Sequence, residues 1–313
     1  MKNKCCCIVL CCTLFFSCND GAVYVENVNG HEMLVCKVSE LKSEVKDLLL
    51  SELVESLEVV RLETNDSCLI KEIWKVFVTD NYIGVLEHDG RTYKLFDRKG
   101  KFITNIGKIG QGPHEYINLI NSSIDEKNNR VYLMGFSRVD KLLCYDLEGN
   151  AYDDIPFYYK SLDKPSFFIK DDIITVFSMP ITNREVFSFQ QNMKGELIKT
   201  MPATEDLYAY DYENELFTSY NNGVFSIHYT MLDTIFNYDS ESNKLIPKYH
   251  TKFDGDAFCV YRELPNHYIT ISFPSIIVNK KTKKANYYKA KNDFLGGLDI
   301  DYFQSDNDYI IVR

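Results

Sequence analysis

Residues 96–116 read Phe96-Asp97-Arg98-Lys99-Gly100-Lys101-Phe102-Ile103-Thr104-Asn105-Ile106-Gly107-Lys108-Ile109-Gly110-Gln111-Gly112-Pro113-His114-Glu115-Tyr116, and they decide the fold. Two short apolar runs flank an Asp-Arg-Lys-Gly turn, the pattern of a tight antiparallel hairpin. The second run then meets Gly107, Gly110, Gly112 and Pro113. Glycine permits positive φ and close backbone approach, and proline withholds a ladder donor. The segment therefore reads as the outer hairpin of a small antiparallel sheet, followed by a sharp crossover into the next sheet.

The same kind of turn recurs along the chain. Asp97 to Gly100, Asp146 to Gly149, Asn192 to Gly195 and Asp239 to Ser242 follow one another at 49, 46 and 47 residues, and each leads into a strand-like run. Aromatic residues make up 14% of the chain, in runs of β-forming residues bounded by Asp, Asn, Gly and Lys. A period of about 45 to 50 residues with four strands per unit marks a β-propeller blade.

On that period the first blade takes residues 70–107, the second about 119–156, the third about 166–201, the fourth about 217–249 and the fifth 268–289. Residues 57–63, 298–302 and 309–312 are then expected to close the ring as a three-stranded sixth blade. The expected fold is all-β, a six-bladed β-propeller over residues 57–313 with an incomplete C-terminal blade. Ahead of it, residues 18–56 read as a tether and a short helix. Residues 19–29 are polar, and Leu41, Val45, Leu48, Leu49, Leu53 and Val54 fall at helical spacing, which predicts a rim helix over 41–54.

Residues 1–17 read as an export signal. Lys2 and Lys4 precede an apolar stretch of twelve residues, Cys5 to Phe16, too short to span a bilayer. Ser17 then places a small residue before Cys18, as in a lipobox with cleavage before Cys18 and acylation of that residue. Phe15 and Phe16 depart from the tighter form of that motif. Asn19 rather than Asp after the cysteine points to the outer membrane. Loss of Lys2 and Lys4 moves the formal charge from −10 to −12. An acidic body excludes a nucleic-acid partner and an electrostatic hold on anionic lipid, so the membrane is reached through the lipid anchor.

Residues 96–116 resemble the blade junction of six-bladed β-propeller lipoproteins of Bacteroides-type bacteria, an NHL- or TolB-like group of unknown function. Those proteins carry a strand, a Gly-Lys-Phe turn and a Gly-x-x-Gly-Gln-Gly-Pro-Gly-Glu-Tyr connection. His114 stands where they have a further glycine. It either adopts an ordinary φ or sets an imidazole on the propeller face. The resemblance implies a cell-envelope address and a last strand beyond Arg313. The triplet Asp233-Thr234-Ile235 resembles the O-glycosylation acceptor of exported proteins in this group, which makes Thr234 a candidate modification site. None of this implies a molecular function.

The remaining residues offer little chemistry. Outside the leader and Cys18, only Cys36, Cys68, Cys144 and Cys259 remain, with no Cys-x-x-Cys pair, and they read as buried free thiols or as one of three disulfide pairings. His31, His88, His114, His228, His250 and His267 form no metal motif, and no Gly-x-Ser-x-Gly elbow is present. The glycines of 107–112 lack the Gly-Lys-Ser/Thr ending of a phosphate loop, so they read as structural. Lys280, Lys281, Lys283 and Lys284 read as a solvated hairpin turn, with an acidic glycan or phosphate contact as the sharper alternative. Glu72, Asp125 and Asp299 are the carboxylates placed at blade starts. In gluconolactonase-type propellers such residues hold a divalent cation in the channel.

The function expected is a non-enzymatic binding or scaffold module on the cell envelope, with no cofactor, taking a glycan, peptide or protein through aromatic-rich loops. The alternative is a metal-dependent lactonase- or lyase-like site in the channel. Converging carboxylates distinguish the second from the first.

Overall fold

In the computed structural model the described residues are 21–88, 92–160, 162–181, 185–208, 215–221, 223–230, 232–255, 259–300, 303–306 and 309–312. Strands in the middle of the sheets, such as Tyr82–Glu87 and Val186–Asn192, are buried along nearly their whole length instead of on alternate residues. A strand covered on both faces has no solvent side to alternate with. The cover on each face is the neighbouring sheet, and that stacking of sheets around an axis is a β-propeller.

Blade 1 comprises Ile73–Val78, Tyr82–Glu87, Tyr93–Asp97 and Phe102–Asn105. Blade 2 comprises Leu119–Asp125, Arg130–Gly135, Lys141–Tyr145 and Ile155–Pro156, and blade 3 Ser166–Lys170, Ile173–Phe177, Val186–Asn192 and Leu197–Pro202. Blade 4 is built from Leu216–Asn221, Val224–Tyr229, Thr234–Asp239 and Lys244–Lys252, and blade 5 from Val260–Glu263, His267–Ile271, Ile276–Asn279 and Ala285–Asn292. In each blade the first strand lines the axis and successive strands step outward, antiparallel throughout. Within blade 1, Gly84 makes room for its neighbour: a Cβ there would stand 1.9 Å from the Tyr93 hydroxyl.

Apolar layers join the blades. Leu86, Leu95, Leu119, Leu133 and Tyr145 fill the space between blades 1 and 2. Met134, Leu142, Phe167, Val176 and Phe189 do so between blades 2 and 3. Phe177, Phe187, Phe225, Tyr229 and Tyr238 follow between blades 3 and 4. Tyr249 stacks on Tyr268 between blades 4 and 5, rings 4.8 Å apart and 2° from parallel. Cys36, Cys68, Cys144 and Cys259 are all buried and unbonded to one another. Burial pushes the Cys36 and Cys259 thiols up to about 11, so they stay protonated and inert.

The ring has five blades, which corrects the expectation of six. Phe303–Asp306 and Tyr309–Val312 pair with each other as a two-stranded hairpin. The segments expected beside them are held elsewhere. Leu298–Asp299 continues blade 5 by pairing with Ala285–Asn292. Residues 57–63 run as coil over blade 1, where Val60 and Leu62 pack against Phe96 and Val85. There the Glu63 amide donates to the Gly100 carbonyl at 2.7 Å, and the Phe102 amide donates to the Glu63 carboxylate at 3.0 Å. A Cβ on Gly100 would meet the Arg61 carbonyl oxygen at 2.2 Å, so this docking depends on the glycine. The hairpin lies between blades 5 and 1. Ile310 and Val312 pack on the blade 5 core, and the Arg98 guanidinium covers the Tyr309 ring at 5.0 Å.

The N-terminal part also departs from expectation. Val23–Val28 and His31–Lys37 form a hairpin, and the second of these strands joins Lys244–Lys252 in parallel, which makes blade 4 six-stranded. From Val23 onward, the segment expected as a tether is thus part of the sheet. No α-helix forms over 41–54. Lys46–Leu49 is instead a strand parallel to Ala285–Asn292, flanked by the 3-10 turns Val38–Glu40 and Leu50–Glu52. The burial pattern fits a strand on a core: Leu48 is buried between the exposed Asp47 and Leu49, and Leu50 is buried from the turn that follows.

Candidate functional site

The first strands of the five blades and the C-terminal hairpin enclose a central channel with a cavity of about 930 Å3. Its wall combines aromatic faces, among them Trp74, Phe168, Phe217 and Tyr220, with short polar side chains. At one level these polar groups bond from blade to blade. Lys75 Nζ donates to the Ile120 carbonyl at 2.8 Å, linking blade 1 to blade 2. Asn121 Nδ2 donates to Ser166 Oγ at 3.1 Å, linking blade 2 to blade 3. Ser166 Oγ and Thr218 Oγ1 lie 2.7 Å apart, linking blade 3 to blade 4. The Arg262 guanidinium of blade 5 sits over the Phe217 ring of blade 4 at 5.5 Å. On the other side of blade 1, the hairpin contributes Gln304. Its amide accepts from the Val76 N–H at 3.2 Å and donates to the Val76 carbonyl. A glutamine thereby satisfies both backbone groups of Val76 on the innermost strand of blade 1.

Lys75, Lys127, Lys170 and Arg262 line this cavity, and Lys75 and Arg262 lie at the level of the polar belt. Enclosure pulls the Lys75 ammonium down to about 8; the Glu215 carboxylate opposes that fall and the Arg262 guanidinium adds to it. Lys75 forms no ion pair among the described residues: its ammonium donates to a neutral carbonyl and lies 5.0 Å from the Trp74 ring. Behind Arg262, His228 is sandwiched between the Phe217 ring at 6.0 Å and the Tyr261 ring at 4.6 Å. Burial, with Arg262 adding to it, holds the imidazole down to about 3, so it is neutral at physiological pH. Its Nδ1 has no partner among the described residues.

The carboxylates expected to converge are dispersed. Glu72 and Asp125 both line the channel. Glu72 lies at its end near His88, 4.0 Å away, and Asp125 accepts bonds from the Asn128 amide and side chain in the turn after the blade 2 inner strand. Asp299 is not in the channel: it pairs with Lys291 at 2.5 Å on the outer side of blade 5, and that partner draws its carboxyl below the usual range. Among the described residues no group of three or more His, Cys, Asp or Glu is arranged to hold a metal ion.

The other sequence candidates take structural places. The glycine-rich turn wraps a carboxylate from its own chain, with the Gly112 amide donating to Glu115 at 2.8 Å. The donor that a phosphate would need is thus occupied. His114 adopts the left-handed backbone that favours glycine, at φ 57°, and also projects its ring, with Nδ1 2.9 Å from Asp154, which Lys141 also binds at 2.7 Å. Lys280, Lys281, Lys283 and Lys284 lie on the hairpin turn of blade 5, where Asn279 caps the backbone and Lys280 pairs with Glu263 at 2.7 Å. Thr234 begins the third strand of blade 4, half-buried, with its hydroxyl 3.2 Å from His250 Nδ1. Cys18 lies outside the described residues.

Sequence reasoning missed Lys75, Asn121, Ser166, Thr218, Arg262 and Gln304. A signal for most of them existed. The belt bonds span 45, 45 and 52 residues, close to one blade period, so polar residues at one phase of the repeat mark the channel wall. Arg262 was missed because the first strand of blade 5 was not recognised.

The family model described as a domain of unknown function, DUF4934, matches residues 34–313. A comparison with curated proteins finds no match. Among solved structures the chain is similar to a protein of Bacteroides fragilis described as a candidate exported protein, with TM-score 0.62 and 16% identity over 87% of this chain and 84% of that one. It is also similar to a member of the DUF4221 family from Bacteroides vulgatus, with TM-score 0.45 and 12% identity over 72% of this chain and 83% of that one. The first likeness is one of fold, and the second is too loose to add to it. No helix among the described residues is long and apolar enough to cross a membrane.

Proposed function

We propose that this chain, which belongs to the DUF4934 family, is an exported β-propeller that binds a small ligand in its central channel without transforming it. The observation that carries this reading is the cavity of about 930 Å3, walled by aromatic faces and a belt of polar side chains. Aromatic faces offer stacking, and hydroxyl and amide groups offer orientation, the combination that suits a sugar or a short peptide. Export is supported by the leader and by the description of the Bacteroides fragilis relative. Acylation of Cys18 would hold the protein on the outer membrane, and glycosylation of Thr234 would accompany export.

Titration of the full chain with a panel of neutral and charged oligosaccharides and short peptides tests the binding reading, with Thr218→Trp as the channel-filling variant. A ligand that raises the melting temperature of the native protein and not of Thr218→Trp supports it. Ligand binding indifferent to that substitution, or no binding across the panel, refutes it. For the anchor, Cys18→Ala is expected to abolish detergent-phase partitioning and palmitate labelling. Intact-mass analysis of native material reads the glycan at Thr234.

A further inference from the structure

We infer that the channel is built for an anionic ligand, one that sets a carboxylate or phosphate against Lys75 and lays a hydroxyl-bearing body along Asn121, Ser166 and Thr218. This rests on the channel-binding reading above and names the chemical class of the ligand. The starting observation is the cost of the lysine. An ammonium in an enclosed site loses hydration, and proteins recover that loss with an opposite charge. Lys75 has no ion pair among the described residues, and its hydrogen bond to the Ile120 carbonyl is one that a neutral glutamine would make without burying a charge. A structural strut between blades 1 and 2 explains the bond, and the Trp74 ring 5.0 Å from the ammonium offers its face to the charge, but neither supplies a counter-ion.

The surroundings point the same way. Arg262, another cation of the cavity wall, lies on the Phe217 ring and acts electrostatically on Lys75. Arg262 and Lys75 repel each other as like charges, and an anion beside Lys75 offsets that repulsion. Of the wall carboxylates Glu72, Asp80, Asp125 and Glu126, none is paired with Lys75: Glu72 lies beside His88, Asp125 is bonded within its own turn, and Glu126 accepts from the Asn81 amide and side chain. Glu215 acts on Lys75 but lies 3.9 Å from Lys164. His228 is held neutral and contributes no charge. The wall next to Lys75 then supplies hydroxyl and amide groups, Asn121, Ser166 and Thr218, one step of the belt after another. These groups both donate and accept, so they suit a polyhydroxylated body more than an apolar one.

Calorimetric titration of the full chain tests this with four probes: galacturonate, galactose, glucose 6-phosphate and inorganic phosphate. The expected result is that galacturonate or glucose 6-phosphate binds at least about tenfold more tightly than galactose, the usual size of a charge-assisted contact. Lys75→Met is expected to remove that preference and Lys75→Arg to retain part of it. Inorganic phosphate binding as tightly as glucose 6-phosphate supports the anion site and assigns it to the free ion. Weaker phosphate binding assigns it to an anionic sugar.

A second measurement needs no variant. An anion beside Lys75 favours its charged form, so binding at pH 8 should take up a fraction of a proton, read from the enthalpy in buffers of different ionisation heat. Galactose binding as tightly as galacturonate, with no effect of Lys75→Met and no proton uptake, overturns the inference and leaves the channel-binding reading standing. Failure of all four probes to bind at millimolar concentration also overturns it, whereas the wider panel of neutral sugars and peptides decides the channel reading separately.

Discussion

The layers between the blades and the wall of the channel are built from the same strands and held by different forces. Between blades 3 and 4, Phe177 meets Phe225, Phe187 and Tyr238 at ring distances of 5.5, 6.2 and 4.9 Å, in a layer closed to solvent. At the channel, the same two blades meet through two hydroxyls, Ser166 and Thr218, 2.7 Å apart. The first contact gains free energy from apolar area withdrawn from water, and it depends on volume more than on direction. The second is directional and gains little net energy, because water would bond either hydroxyl nearly as well. The blades are therefore held by their flanks, and the channel wall is left free to be shaped for a ligand.

The largest expected effect sits in the apolar layer. Phe177→Ala removes a side chain that is 0% exposed and leaves a cavity among packed rings. Chemical denaturation should show a loss of about 3–5 kcal/mol. A loss no larger than that from a channel-wall substitution would break the comparison.

Acid should act through His228, which lies where the two environments meet. Its folded-state value of about 3 is below the ordinary 6.5. As pH falls below 6.5 the unfolded chain takes up a proton that the folded chain refuses, so stability present above 6.5 declines toward pH 3. The slope from this group is about 1.4 kcal/mol per pH unit. His228→Phe, measured at pH 7 and pH 5, should show a smaller acid loss than the native protein. An identical loss in both would place the acid-sensitive group elsewhere.

Gln304→Ala removes the side chain that bonds both backbone groups of Val76. The expected loss is about 1–3 kcal/mol, with faster hydrogen exchange at the Val76 amide, since a polar group facing the enclosed axis loses its partner. No change in that exchange would show that water replaces the glutamine without cost. The smallest effect is expected at Ser166→Ala, about 1 kcal/mol or less, since Asn121 and Thr218 lose one neutral hydrogen bond each. A larger loss would mean that the polar belt carries the fold as well as the site.

The fold was readable because propellers repeat. The Asp97, Asp146, Asn192 and Asp239 turns put a clock on the chain, and blades 1 to 4 fall on it. The clock fails at both ends, for physical reasons. Residues 41–54 carry leucines that fit a helical face, but Leu48 is buried from a strand, and Leu50 from the 3-10 turn after it, because the outer edge of blade 5 was open to pairing. Spacing alone does not separate a short helix from a strand when either would bury the same leucines. Residues 57–63 read as a closing strand, yet Glu63 and the glycine turn at Gly100 tie them to blade 1. The candidate site was less legible than the fold. Glu72 and Asp125 reach the channel as the pattern of blade starts implied, but the belt consists of ordinary polar residues whose partners lie a blade away.

By itself the sequence determined the class of architecture, the length of the repeat and the positions of its outer turns, since these rest on local preferences: glycine and Asx residues in turns, aromatic and branched residues in strands. Only the tertiary structure decided how many blades close the ring, which edges the N-terminal strands complete, and which polar side chains face the axis. Those outcomes depend on partners 45 to 244 residues away, such as Asn121 with Ser166 and Ser43 with Tyr287. No local preference encodes such pairs. They arise when stacked sheets bring the same phase of successive repeats onto one axis.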